Sequence, residues 1–252
     1  MERELLYDCY GNIVLLPGDD GDSVVDELIR RNYREEFCIS PSFESDFVRR
    51  LIRSGFLVMS AEMPRSSSRV LLPKLHLKRA VLTAKSFHVA GSVKRSLKRY
   101  TLRVNADFEQ ILTRCALVHG EDWLTKDLQA SFLSLQAEAS ETEASVSGFS
   151  PGCFALYHEG KLAAGEFGFF VGSIYTSYSG FYEISGSGSV QMALSGRWLF
   201  DKGYTLWDLG MPLEYKTSLG ASSLSRSDFI ASFRAAREGK LHELGPGDLP
   251  IL

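Results

Sequence analysis

The run "CFALYHEGKLAAGEFGFFVGSIYTSYSGFY", residues 153–182, constrains the fold more than any other stretch. Apolar and aromatic segments of strand length are broken twice by turn chemistry, at "HEGK" and "VGS", so the run predicts a three-strand antiparallel meander. The next elements commit the meander to an α/β sheet. A Gly/Ser loop, "ISGSGS", leads into "VQMALSGRWLFDKG", a helix closed by Gly203. The chain then enters "TLWDLGMPLEYKTSLGA", a short strand ending on Asp208 and running into a glycine-punctuated loop. Meander, helix and strand imply one crossover. An acid at a strand end is a frequent place for chemistry, and equally a solvated terminus.

Upstream, helical spacing predicts helices at "DSVVDELIRRNYR" and "SFESDFVRRLIRSGF", the second stopped by Gly55. The stretch "MPRSSSR", 63–69, reads as a linker by its Pro and Ser content. The predicted organisation is a small N-terminal domain, 1–64, and a larger α/β (α+β) domain, 65–252. Further helices are predicted at "DFEQILTRCALVHG", "TKDLQASFLSLQAEA", N-capped by Thr125, and "SDFIASFRAA", with a mobile loop over 138–151.

The net charge of −3 hides an asymmetry. Residues 65–106 hold eleven Lys/Arg and no Asp or Glu, so the rest of the chain carries −14. Such a basic island suggests a polyanionic partner, because clustered cations release counterions condensed on phosphates. Within it, "GSVKRSLKRY", 91–100, reads as an amphipathic helix N-capped by Ser92. Val93, Leu97 and Tyr100 would face the core, opposite Lys94, Arg95, Lys98 and Arg99. A solvated helix face is the bland alternative.

Other classes lack support. No window of about 18 apolar residues predicts a membrane span. The charged start predicts no signal peptide. Cys9, Cys38, Cys115 and Cys153 have neither disulfide nor zinc-ligand spacing, which fits a reducing cytoplasm. Neither G-x-S-x-G nor a P-loop occurs. Gly186 and Gly188, at the mouth of a helix, have the chemistry to cradle a pyrophosphate, although a simple flexible loop is the commoner meaning of such a pair.

The order of "HVAGSVKRSLKR", "DWLTKDLQASF", "EGKLAAGEFGFFVGSIYTSYSGF", "LWDLG" and "TSLGA" resembles the leucyl/phenylalanyl-tRNA-protein transferase family over residues 70–235, and more weakly over the N-terminal unit. The resemblance implies a small N-terminal domain followed by a GNAT-like acyltransferase domain with a mixed, largely antiparallel sheet. It implies a cytoplasmic enzyme that moves an amino acid from aminoacyl-tRNA to the N-terminal α-amine of an acceptor protein, marking it for degradation by the N-end rule. No cofactor, metal or membrane is implied.

By the same resemblance Asp208 matches the catalytic aspartate. Trp123 matches the tryptophan beside the aminoacyl-adenosine, and Tyr175 and Phe181 match aromatic positions in the donor pocket. Ser218 is also assigned to substrate binding. Lys94, Arg95, Lys98 and Arg99, extended by Lys85 and Arg103, fall where the family holds the tRNA acceptor stem. This sequence departs from the pattern at three positions: Gly210 replaces a proton-relaying glutamine, Tyr178 a pocket glutamate and Ser195 a pocket phenylalanine. The departures imply an altered donor or acceptor, with Tyr178 or Asp208 handling the amine. Two alternatives stay open: an acetyl-CoA-dependent GNAT-type acetyltransferase, and a catalytically degenerate tRNA-binding module.

Overall fold

The structure is a computed structural model that describes residues 5–63, 68–120, 122–141, 148–241 and 247–249. The N-terminal unit begins with a two-residue ladder, β1 (Leu6–Tyr7) and β2 (Ile13–Val14), followed by α1 (Gly21–Arg30) and α2 (Ser45–Arg53). Asp20 caps α1 by accepting from the Ser23 amide at 3.0 Å, and α2 buries Phe47, Val48, Leu51 and Ile52 on one face. The two helices lie where the apolar spacing predicts them.

The linker expected at 63–69 does not. Strand β3 (Leu57–Glu62) pairs antiparallel with β4 (Arg69–Lys74) across a full six-residue register, and the Met63 amide bonds the Ser68 carbonyl at 2.8 Å. The 63–69 stretch is therefore the connection of a hairpin, its middle residues 64–67 lying outside the described residues. Pro and Ser content marks a turn as readily as a linker.

The second unit is built on β5 (Lys78–Leu82), α3 (Gly91–Ser96), β6 (Tyr100–Val104), α4 (Phe108–His119) and α5 (Lys126–Glu141). The predicted meander follows as β7 (Phe149–His158), β8 (Lys161–Val171) and β9 (Ile174–Tyr182). Then come α6 (Ser187–Asp201), β10 (Leu206–Asp208), the short α7 (Glu214–Ser218), β11 (Ser222–Ser225), α8 (Arg226–Arg237) and β12 (Gly247–Leu249). Eight strands form one sheet in the order β11-β5-β10-β9-β8-β7-β6-β12, antiparallel except for β9 and β10. This is the mixed, largely antiparallel α/β fold expected, with α6 as its crossover helix.

Two cores flank the sheet. One face packs against α2, α4, α5 and α8 through Phe47, Ile111, Phe132, Phe167, Phe169 and Phe229; the other packs against α6 through Phe154, Phe170, Tyr175, Leu199 and Trp207. The N-terminal helices share the first core, so this unit is continuous with the sheet's packing.

The segment 91–100 is less regular than its periodicity predicts. Helix α3 starts after Ala90, with no side-chain cap from Ser92, and tightens into a 3-10 turn at Leu97–Arg99; Tyr100 already belongs to β6, paired with His158. Leu97 and Tyr100 are buried, Val93 partly so, and Lys94, Arg95, Lys98 and Arg99 are all exposed. Helix α5 extends to Glu141, which displaces the start of the predicted 138–151 loop; residues 142–147 lie outside the described residues. The buried Thr125 hydroxyl precedes α5 without a hydrogen-bond partner, so the expected cap is not made.

Candidate active site

The feature that makes a site is the splay of β9 from β10. The two strands pair only through Leu206↔Ile174, Trp207↔Tyr175 and Asp208↔Thr176, after which β9 runs on to Tyr182 without a partner on that edge. A cavity of about 440 Å³ occupies the gap. Its walls come from β8 (Glu166), β9 (Ser177 to Tyr182), α6 (Gly188, Gln191, Met192), the loop after β10 (Leu209) and α7 (Tyr215, Lys216), with His119 at the end of α4. The αL backbone of Gly186, φ +82°, turns the chain from β9 into α6 and so brings Gln191 and Met192 to the gap.

Two of the expected site residues line this cavity directly. Phe181 is buried in its wall, and Tyr178 stands at its side. The Tyr178 ring packs edge-on against Phe132 and Phe169, and its hydroxyl accepts from the Val58 amide at 3.0 Å. Burial raises its pKa well above the ordinary tyrosine value of 10. The hydroxyl is thus engaged by the N-terminal unit at the edge of the cavity that the ring lines.

Asp208 lies deeper. It is 0% exposed and does not line the cavity; its carboxylate accepts two bonds from Arg79, Nε at 2.8 Å and Nη2 at 2.7 Å, and a third from the Gly210 amide at 2.9 Å. Arg79, itself 1% exposed, stacks over the Phe229 ring at 4.6 Å. The strand end is a sealed bidentate ion pair, and neither a solvated terminus nor an acid open to substrate. Its geometric effect is local. It clamps β10 to β5 and orders Leu209–Met211, with Gly210 at φ +72° and its carbonyl bonded to the Ala80 amide at 2.7 Å.

The remaining expectations scatter around the gap. Ser195 is fully buried behind Gln191, whose amide donates to its hydroxyl at 2.8 Å. Tyr175 is in the α6-side core, stacked among Phe154 and Phe170, with no hydrogen-bond partner for its hydroxyl. Trp123 packs half-buried against the opposite core and offers its carbonyl to Ser60 at 2.9 Å. Ser218 is exposed on α7, bonded to the Tyr215 carbonyl at 2.7 Å. None of these four lines the cavity.

The cavity also exposes residues that motif reading passed over. Glu166, 5% exposed, accepts from the Ser177 hydroxyl at 2.7 Å. Burial pushes its carboxyl up to about 7 against the weaker pull of that bond. Lys216, also buried, donates to the carbonyls of Leu209 at 2.5 Å and Met211 at 2.8 Å, and desolvation lowers its pKa. A legible signal existed for Glu166, the one charge inside the apolar strand "LAAGEFGFFV".

Helix α3, with Lys94 and Arg95, lies on the α6 side of the sheet, whereas Arg103 faces the other side, since its strand neighbours Leu102 and Val104 are in the α6-side core. Val93 of α3 and Met192 of the cavity wall pack against the same core. No ion pair reaches Lys94, Arg95, Lys98 or Arg99 among the described residues; Lys85 is exposed, and Arg103 lies over the Tyr157 ring at 4.8 Å.

The chain is similar to known proteins. The leucyl/phenylalanyl-tRNA protein transferase family profile matches residues 81–234, which spans β5 through most of α8. The chain belongs to this family. It is thereby placed among aminoacyltransferases. The leucyl/phenylalanyl-tRNA--protein transferase of Shewanella sediminis is 26% identical over 168 residues, 65% of this chain and 67% of that protein. The one of Jannaschia sp. is 26% identical over 178 residues, 69% of this chain and 79% of that protein. Among solved structures, a GCN5-related N-acetyltransferase from Kribbella flavida is similar at a TM-score of 0.34 and 13% identity, over 84% of this chain and 74% of that one. Among the described residues, no helix is long and apolar enough to cross a membrane, and no cluster of His, Cys, Asp and Glu is arranged to hold a metal.

Proposed function

We propose that the chain transfers an amino acid from a charged tRNA to the N-terminal α-amine of an acceptor protein in the cytoplasm, with a donor other than plain leucine or phenylalanine and no cofactor beyond the aminoacyl-tRNA. The observation that carries this reading is that the β9/β10 cavity has one wall, Met192 of α6, on the core against which Val93 of the cation-bearing α3 also packs. The aminoacyl group enters the splay while the acceptor stem rests on Lys94, Arg95, Lys98 and Arg99. Lys85 extends the track, and Arg103 meets the RNA from the other face of β6.

In the reaction the acceptor amine attacks the ester carbonyl, a C–N bond forms, the C–O bond to ribose breaks, and the proton lost by the amine ends on the released ribose hydroxyl. An aminoacyl ester is already activated, so alignment of amine and carbonyl supplies most of what the protein must contribute. Phe181 and Tyr178 hold the donor from β9, and Gln191 from α6. Asp208 acts through position, since its bonds to Arg79 and Gly210 set the path of Leu209 at the cavity edge. Altered donor choice is supported by the polar lining, Glu166, Ser177 and Gln191, around what would otherwise be an apolar hole.

The test is transfer of label from single charged tRNAs to peptides beginning with Arg or Lys. Lys94→Ala with Arg95→Ala is expected to raise KM for charged tRNA and leave kcat for bound complex within about threefold. Use of leucyl- and phenylalanyl-tRNA alone would refute altered choice. Salt-sensitive tRNA binding with no product from any donor would favour a binding module, and acetyl transfer from acetyl-CoA would favour the acetyltransferase reading.

A further inference from the structure

The most deeply buried acid of the cavity has no cation beside it. Among the described residues neither oxygen of Glu166 meets a Lys, Arg or His nitrogen within 4 Å; its short hydrogen bond comes from Ser177 at 2.7 Å, and the Tyr175 hydroxyl and the Gln191 amide add weaker pulls. A carboxylate offers about four acceptor sites, so Glu166, which lines the cavity, keeps room for a further donor. Ser177 and Tyr175 approach it from β9, Gln191 from α6, Lys216 from α7, and His119 lines the same cavity from α4. None neutralises it at contact. The Lys216 ammonium is committed to two backbone carbonyls, His119 Nε2 lies 2.7 Å from the Gly180 carbonyl, and the fully buried Tyr175 hydroxyl lies beside the acid without a short hydrogen bond of its own.

An apolar side chain pushed into this space would seal a hydrogen-bonding carboxyl against hydrocarbon, which costs more than an empty pocket does. A side chain with a methylene stem and a charged tip meets the lining at both ends. Phe181, Met192 and Leu209 cover the stem, while Glu166, Ser177 and Gln191 receive the tip. We propose that the cavity selects an aminoacyl donor whose side chain ends in a cation, lysyl or arginyl, with Glu166 as its counter-ion.

This rests on the transferase reading above, so the decisive experiment measures binding apart from turnover. The intact protein is titrated by calorimetry with non-hydrolysable 3′-aminoacylamino-adenosines carrying lysine, arginine, leucine or phenylalanine. The lysyl or arginyl analogue is expected to bind at least about tenfold more tightly than the leucyl one. E166Q keeps the shape of the side chain and is expected to bring that ratio below about threefold, and E166L to reverse it. Tightest binding of the leucyl or phenylalanyl analogue by the unaltered protein would overturn the proposal. So would a loss of affinity in E166Q by the same factor for every analogue, which would make Glu166 a general proton acceptor or a merely structural group. Failure to transfer from any charged tRNA, with the cationic preference retained, would overturn the transferase reading and leave the ligand assignment standing.

Discussion

Arg79→Met tests whether the Asp208 strand end is held together as the structure describes it. In the protein both carboxylate oxygens are engaged, by Nε at 2.8 Å and Nη2 at 2.7 Å, with the pair 1% and 0% exposed. Methionine removes the charge and keeps most of the volume, so what is lost is the compensation of Asp208 and the stacking on Phe229, not the packing as a whole. Leaving a carboxylate buried without its partner costs about 3–5 kcal/mol. At about 2–4 °C per kcal/mol for a chain of this size, melting should fall by about 10 °C. Urea unfolding at pH 7 reads the free energy directly. The companion variant, Asp208→Leu with Arg79→Met, removes both charges and is expected to recover most of the loss, short by about 1 kcal/mol for the Gly210 amide that loses its acceptor. Additive losses in the double variant, or a cost under about 1 kcal/mol for Arg79→Met alone, would show that the pair is not a desolvated unit and return Asp208 to the substrate.

Burial of Glu166 makes stability depend on pH in a definite direction. With its carboxyl raised from 4.5 to about 7, the folded protein holds a proton that the unfolded chain has released, so this group's contribution is favourable at low pH and is lost as pH rises through that interval. Glu166→Gln should therefore gain about 2.5 kcal/mol relative to the unaltered protein between pH 5 and pH 8; parallel unfolding curves at the two pH values would contradict it. Lys94→Ala with Arg95→Ala should flatten the dependence of log tRNA affinity on log salt by about 1.8, read by filter binding across salt concentrations, and an unchanged slope would remove α3 from the RNA track. Gly168→Ala should cost at least about 2 kcal/mol, because a Cβ there would sit 2.1 Å from the Thr176 carbonyl and 2.9 Å from the Tyr175 ring; a neutral effect on melting would mean the β8–β9 irregularity relaxes freely.

What could be read from the sequence divides along range of interaction. Helices α1, α2, α4, α5, α6 and α8 follow from apolar spacing within about one turn of each end, and the meander from alternation and turns, because those signals are local. The hairpin of β3 with β4 was hidden behind a Pro/Ser stretch that reads equally as a linker, since only the facing strand distinguishes the two. Asp208 shows the same limit at the site. Its partner Arg79 lies 129 positions away, on a strand that β10 alone brings alongside, and no pattern around either residue announces the other. Glu166 is the opposite case, a single acid in an apolar strand, visible in the sequence but without meaning until the splay of β9 from β10 placed it against a cavity. The resemblance named a site by matching positions. The structure adds what surrounds those positions: Phe181 lines the cavity, Tyr178 bonds the N-terminal unit, Asp208 pairs with Arg79 beyond the cavity edge, and Glu166 of the neighbouring strand lines the same cavity. A buried carboxyl with room for a further hydrogen bond is costly to keep, and here that cost falls where β9 and β10 part beside a cavity.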